Sequence, residues 1–166
     1  MRPVILALAA AGAALAACSP KAPEAPSSVA VAEAWCRPTS EGAPTAACYL
    51  TLTATADDRL TAVATPLAER GEIHAMDMSG GVMRMRKLED GVSLPAGAAV
   101  NLRPGAEHLM LIGPKQPLKE GESVGLTLTF AKAPAQQVEA LVRAAPPAVG
   151  GAMGAMGAMD HSGGHH

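Results

Sequence analysis

Histidine and methionine are concentrated in one stretch of this chain, from His74 to Met110: HAMDMSGGVMRMRKLEDGVSLPAGAAVNLRPGAEHLM. It holds two of the five histidines, His74 and His108, and five of the nine methionines, Met76, Met78, Met83, Met85 and Met110. Apart from Met1, the remaining residues of both types lie in the last fourteen positions. Methionine used as core filler would be scattered over the elements of a fold. Gathered beside imidazole, it forms the donor pattern of a soft-metal site.

The donor types narrow the metal. Thioether sulfur is soft and uncharged and favours Cu(I), whereas Zn, Mg and Ca prefer other donors. In an oxidising compartment a thiolate site is prone to close as a disulfide. Thioethers cannot do so, although they can be oxidised to sulfoxide. A blue-copper electron-transfer centre requires a cysteine ligand, and no cysteine follows Cys48.

These donors need elements to position them. EIHAMDM (72–78) and VMRMRKL (82–88) read as strands separated by Ser79-Gly80-Gly81, and HLMLIG (108–113) as another. Side chains alternate across a strand. His74, Met76 and Met78 therefore share a face, as do Met83 with Met85 and His108 with Met110, while Leu109 and Leu111 turn to the core. A turn of two or four residues places His74 opposite Met85 and Met76 opposite Met83, with opposed Cβ atoms about 4.5–5.5 Å apart. A three-residue turn would put His74 and Met85 on opposite faces.

The rest of the chain is consistent with one exported β-domain. MRPVILALAAAGAALAAC opens with a charge and a short apolar run, the layout of a secretory signal (1–17). Leu15-Ala16-Ala17-Cys18 resembles a bacterial lipobox, which makes Cys18 the expected lipidation site; ordinary cleavage near Ala17 is the alternative. Ser19 after that cysteine permits outer-membrane sorting under the rules this pattern resembles. Residues 18–28 form a Pro-, Ser- and Ala-rich tether. The domain spans 29–143. Further strands are expected at 29–37, with Val29, Val31 and Trp35 on one face, and at 48–55, 59–65, 98–104, 123–130 and 136–143. Short strands divided by turn residues indicate a β-sandwich. The last segment has helical propensity but suits a strand in this context.

Cys36 and Cys48 flank the first predicted turn, and in an exported domain a disulfide between them is expected; free thiols or a thiolate metal site are the alternatives. Gly121-Glu122-Ser123-Val124-Gly125 matches the G-x-S-x-G elbow of hydrolases. That elbow needs a strand before the serine and a helix after it, whereas here a turn precedes and an alternating strand follows. No other nucleophilic or acid–base constellation is visible, so the chain reads as a non-enzyme. Its formal net charge of −2 argues against nucleic acid as partner. From Ala144 the sequence is Ala-, Gly- and Pro-rich, a disordered tail (144–166). Its Met153, Met156, Met159, His161, His165 and His166 are candidate donors for a second copper, Cu(II) through the histidines.

The pattern His74, ten residues, Met85, twenty-two residues, then His108-x-Met110 resembles the periplasmic copper chaperones of the PCu(A)C family. The neighbouring text LPAGAAVNLRPGAEHLMLIGPKQPLKEGESVGLTLTF agrees with it. The family spacing usually has twenty-one residues in the second gap; the extra residue is placed in the Glu89–Gly97 loop region. The resemblance implies an all-β, cupredoxin-like Greek-key β-sandwich. It further implies Cu(I) held by His74, Met85, His108 and Met110, with Met76 and Met83 as auxiliary donors. It implies copper delivery to a partner such as a respiratory oxidase copper domain, alongside a thioredoxin-fold Sco protein. Copper storage or resistance is the alternative role, and a non-metal structural sandwich module is a further one.

Overall fold

The computed structural model describes residues 26–77 and 80–145. The signal, Cys18, most of the tether, Met78 and the six candidate tail donors lie outside the described residues. The described part is all-β. Its strands are β1 (Val29–Cys36), β2 (Thr45–Ala54), β3 (Asp58–Ala64), β4 (Ala68–Asp77), β5 (Arg84–Lys87), β6 (Val92–Leu94), β7 (Ala99–Leu102), β8 (His108–Pro114), β9 (Ser123–Phe130) and β10 (Gln136–Val142). The terminal QQVEALV segment is a strand, as its context required.

Hydrogen bonding runs in the order β5-β4-β8-β2-β1-β10-β9-β3-β6, with β7 also paired to β2. All pairings are antiparallel except β1 with β10. Period-two burial builds the core between the two halves of this path. Ala46, Cys48, Leu50, Leu52 and Ala54 of β2 point inward, as do Leu109 and Leu111 of β8 and Val124, Leu126, Leu128 and Phe130 of β9. Each fully buried leucine contributes roughly 1.5–3 kcal/mol relative to exposure. Where β4 crosses β3, a Cβ at Gly71 would collide with the carbonyl oxygen of Val63; glycine is what lets the two halves close there.

Three sequence expectations are corrected. Trp35 does not share a face with Val29 and Val31. The β1–β2 register shifts between Ala32 and Trp35, where Glu33 takes a φ of 52°. This bulge reverses the alternation, so Val29 and Cys36 face the core while Trp35 pairs with Tyr49 on the other side. Second, the Glu89–Gly97 region is not only loop: it contains β6, which pairs with β3 and buries Val92 and Leu94. Three residues between two turns are too few to show a period. Third, β2 and β4 begin earlier than expected, at Thr45 and Ala68.

The expected covalent link is present. Cys36 and Cys48 are direct cross-strand partners and form a disulfide. A buried carboxylate anchors the far end of the sandwich. Asp58 accepts hydrogen bonds from the backbone N–H groups of Arg59 (2.7 Å), Lys132 (2.9 Å) and Ala133 (2.9 Å). Burial alone would raise its pKa, but the hydrogen bonds from Arg59, Ser27, Ala133 and Lys132 outweigh burial and hold it below the usual carboxylate value.

Candidate metal centre

Leu109 and Leu111 are inward on β8, so His108 and Met110 lie on the opposite face of the sheet. Register carries that face across five strands. Tyr49 and Ala47 of β2 flank β8 on one side, with Ala47 opposite Met110. On the other side Glu72 is opposite Met110 and His74 is opposite His108. Beyond β4, Lys87 stands opposite His74 and Met85 opposite Met76. Trp35 completes the row from β1, stacked on Tyr49 with ring centroids 4.6 Å apart. Tyr49 in turn lies 6.3 Å from the His108 ring, and Arg143 sits 5.1 Å over Trp35.

The structure thus brings His74, His108, Met110, Met76 and Met85 to one face, but not in the expected hairpin register. His74 does not pair with Met85, nor Met76 with Met83. The pairing is offset by two residues, because Gly80 and Gly81 both take positive φ, 84° and 74°, and both belong to a longer connection between Asp77 and Arg84. That connection has an even number of residues, so the shared face survives. Met85 is diagonal to His74 and directly across from Met76, while Met83 lies outside any strand.

Burial grades across the site. His108 is 4% exposed and Met110 7%, while the His74 side chain is 14% exposed. At the edge, Met85 of β5 is 49% exposed and Met83, just before that strand, 57%. One end of the donor set is therefore enclosed and the other is open to an incoming molecule.

The imidazole rings of His74 and His108 are 6.0 Å apart between centroids. With a metal–nitrogen bond of about 2.0–2.1 Å, the zinc value, added to the ring radius, this separation is within the reach of a single shared ion. The Nδ1 of His108 lies 3.0 Å from the carbonyl oxygen of Ala106, and a carbonyl can only accept. That bond is set by the tight turn before β8, in which the backbone N–H of Arg103 donates to the carbonyl of Glu107 and that of Ala106 to the carbonyl of Arg103. On His74, Nε2 lies 2.8 Å from Glu72 Oε2, and Arg70 Nε donates to the other oxygen of Glu72 at 2.9 Å. The hydrogen bonds from His74 and then Arg70 hold the Glu72 carboxyl below its ordinary pKa. Among the described residues, His74 Nδ1 is the buried side-chain polar atom left without a hydrogen-bond partner. A buried polar atom without a partner costs about 1–3 kcal/mol, and a bound ion on this face would relieve it.

No group of three or more His, Cys, Asp or Glu side chains positioned for a metal occurs among the described residues. The soft side-chain donors that share this face with the His pair are Met76, Met85 and Met110. Sequence reasoning missed Glu72, Tyr49 and Trp35 as parts of this face. The signal for Glu72 was present: a carboxylate two residues before a histidine on a strand is on the same side. Trp35 was hidden by the bulge.

The fold is an all-β, cupredoxin-like sandwich of the PCuAC type. The chain belongs to the LpqE-like family, described as "Putative lipoprotein LpqE-like", which it matches over residues 29–142. It is similar to "Putative lipoprotein Lxx21020" of Leifsonia xyli subsp. xyli, 28% identical over 102 residues, 61% of each chain. The chain thus spans about 61% of that curated relative's length. Among solved structures it resembles the copper-bound PCuAC domain from PmoF2 (24% identity, TM-score 0.58, 70% of this chain and 93% of that one). It also resembles CuI-DR1885 from Deinococcus radiodurans (30% identity, TM-score 0.52, 73% of this chain and 78% of that one).

Proposed function

We propose that this protein is an extracytoplasmic copper carrier that holds Cu(I) through His74, Met85, His108 and Met110 and passes it to a partner by ligand exchange. The observation that carries this reading is the cross-strand His74–His108 pair with a buried nitrogen awaiting a partner. Met110 lies on the enclosed side of the pair, Met76 and Met85 on the open side. The Cu(I) form of the Deinococcus protein supports the choice of ion. The exposed thioethers suit transfer, because an acceptor's ligand can replace them before the enclosed histidines let go. The disulfide fits an oxidising compartment, and the lipoprotein descriptions of the family and its relative support anchoring through Cys18. A respiratory oxidase copper domain is the acceptor we favour, with a Sco-like protein as co-worker. Neither a catalytic step nor a resident electron-transfer role is needed.

Anaerobic titration of the full chain with Cu(I) against a competing chelator tests the assignment. One tight site is expected, weakened at least tenfold, or by about 1.4 kcal/mol, in His108→Ala and in the volume-conserving Met110→Leu. Unchanged affinity in both variants rejects the ligand set. For the tail, deleting residues 146–166 is expected to lower Cu(II) uptake and leave the Cu(I) site intact; undiminished Cu(II) uptake rejects a tail site.

A further inference from the structure

The two histidines are oriented by different partners through different nitrogens. A carboxylate accepts hydrogen bonds, so the 2.8 Å contact between Glu72 Oε2 and His74 Nε2 places the proton on Nε2. In the neutral ring the lone pair is then on Nδ1, the atom that is buried and without a partner. For His108 the 3.0 Å contact to the Ala106 carbonyl places the proton on Nδ1 and leaves the lone pair on Nε2. Glu72 is itself fixed: Arg70 binds its other oxygen at 2.9 Å, and its side chain is only 16% exposed. Arg70, Glu72 and His74 stand at alternate positions along β4, so one strand face carries the whole relay.

We infer that Glu72 is a positioning residue that locks His74 in the Nε2–H tautomer, so that His74 binds the metal through Nδ1 while His108 binds through Nε2. The inference rests on the copper-site reading above. A hydrogen-bonded carboxylate behind a histidine ligand fixes ring orientation and raises its basicity, and losing such a partner typically costs 10–100-fold in metal affinity.

Long-range ¹H–¹⁵N correlation spectra of the full-length chain test this, first without metal and then with one equivalent of Cu(I). The metal-free spectrum should show His74 protonated at Nε2 and His108 at Nδ1. Cu(I) should then shift His74 Nδ1 and His108 Nε2. Glu72→Leu should lose the fixed His74 tautomer and weaken Cu(I) binding by 10–100-fold. Glu72→Gln, whose amide oxygen still accepts from Nε2–H, should restore most of both. A His74 protonated at Nδ1, a Cu(I) shift at Nε2 of His74, or wild-type affinity and tautomer in Glu72→Leu would each overturn the inference while leaving the copper site standing. Absence of any Cu(I)-induced change at His74, His108 and Met110 would remove the copper site itself, and this inference with it.

Discussion

His74 and His108 are direct partners across β4 and β8, with ring centroids 6.0 Å apart. That single register relation sets the rest of the site. It places Glu72 beside Met110 one step toward the enclosed side, and it leaves Met76 and Met85 facing each other one step toward the open edge.

The offset hairpin gives Met76 more weight than its sequence position implied. It stands directly across from Met85, whereas Met83 is outside the strands and 57% exposed. Met76→Leu is expected to weaken Cu(I) binding by roughly tenfold, about 1.4 kcal/mol. Met83→Leu should leave Cu(I) affinity close to that of wild type. Competition titrations of the two variants side by side check this ordering.

The disulfide should matter for stability and not for metal. Cys36 and Cys48 are fully buried on the core face, whereas the candidate donors lie on the other. Replacing both by serine is expected to cost about 2–3 kcal/mol, the range for a cross-link closing a short loop. Urea unfolding measures that loss, and Cu(I) affinity at a temperature where the variant remains folded should be unchanged.

Acid should find Asp58. Its folded-state pKa is lowered because hydrogen bonds from Arg59, Ser27, Ala133 and Lys132 outweigh the opposing effect of burial. A lowered pKa means the unfolded chain binds the proton more readily. The contribution is therefore complete above the ordinary carboxylate value and is lost as pH falls from there through the lower folded value. Asp58→Asn should reduce stability at neutral pH by about 1–3 kcal/mol through weakened or mismatched bonds to the buried N–H groups. It should also flatten the fall in stability below about pH 4, which denaturation at a series of pH values would show.

Much of this was legible in the chain itself. Alternation in LTLTA of β2 and GLTLTF of β9, and turn residues between short segments, gave an all-β sandwich. Strand alternation put His74, Met76, Met85, His108 and Met110 on one face, and the structure keeps them there because face parity depends only on an even connection. Register was not legible, since Ser79-Gly80-Gly81 is compatible with several even loops and only the backbone angles of the glycines select one. The β1 bulge at Glu33 was also hidden: an extra residue in one strand leaves no mark in composition, yet it moves Trp35 to the site face. β6 was too short to show a period. Glu72 was visible but unread, because a carboxylate is not a soft-metal ligand and its role concerns the ring behind the metal.

Mixed imidazole and thioether donors are proposed to hold Cu(I) on this face. X-ray absorption at the copper edge, on the full chain carrying one Cu(I), tests it most directly. Two imidazole nitrogens and two thioether sulfurs are expected around the copper, with the sulfur contribution lost or sharply reduced in the Met85→Leu/Met110→Leu double variant. A first shell of nitrogen alone, or a sulfur contribution unchanged in that variant, would contradict it.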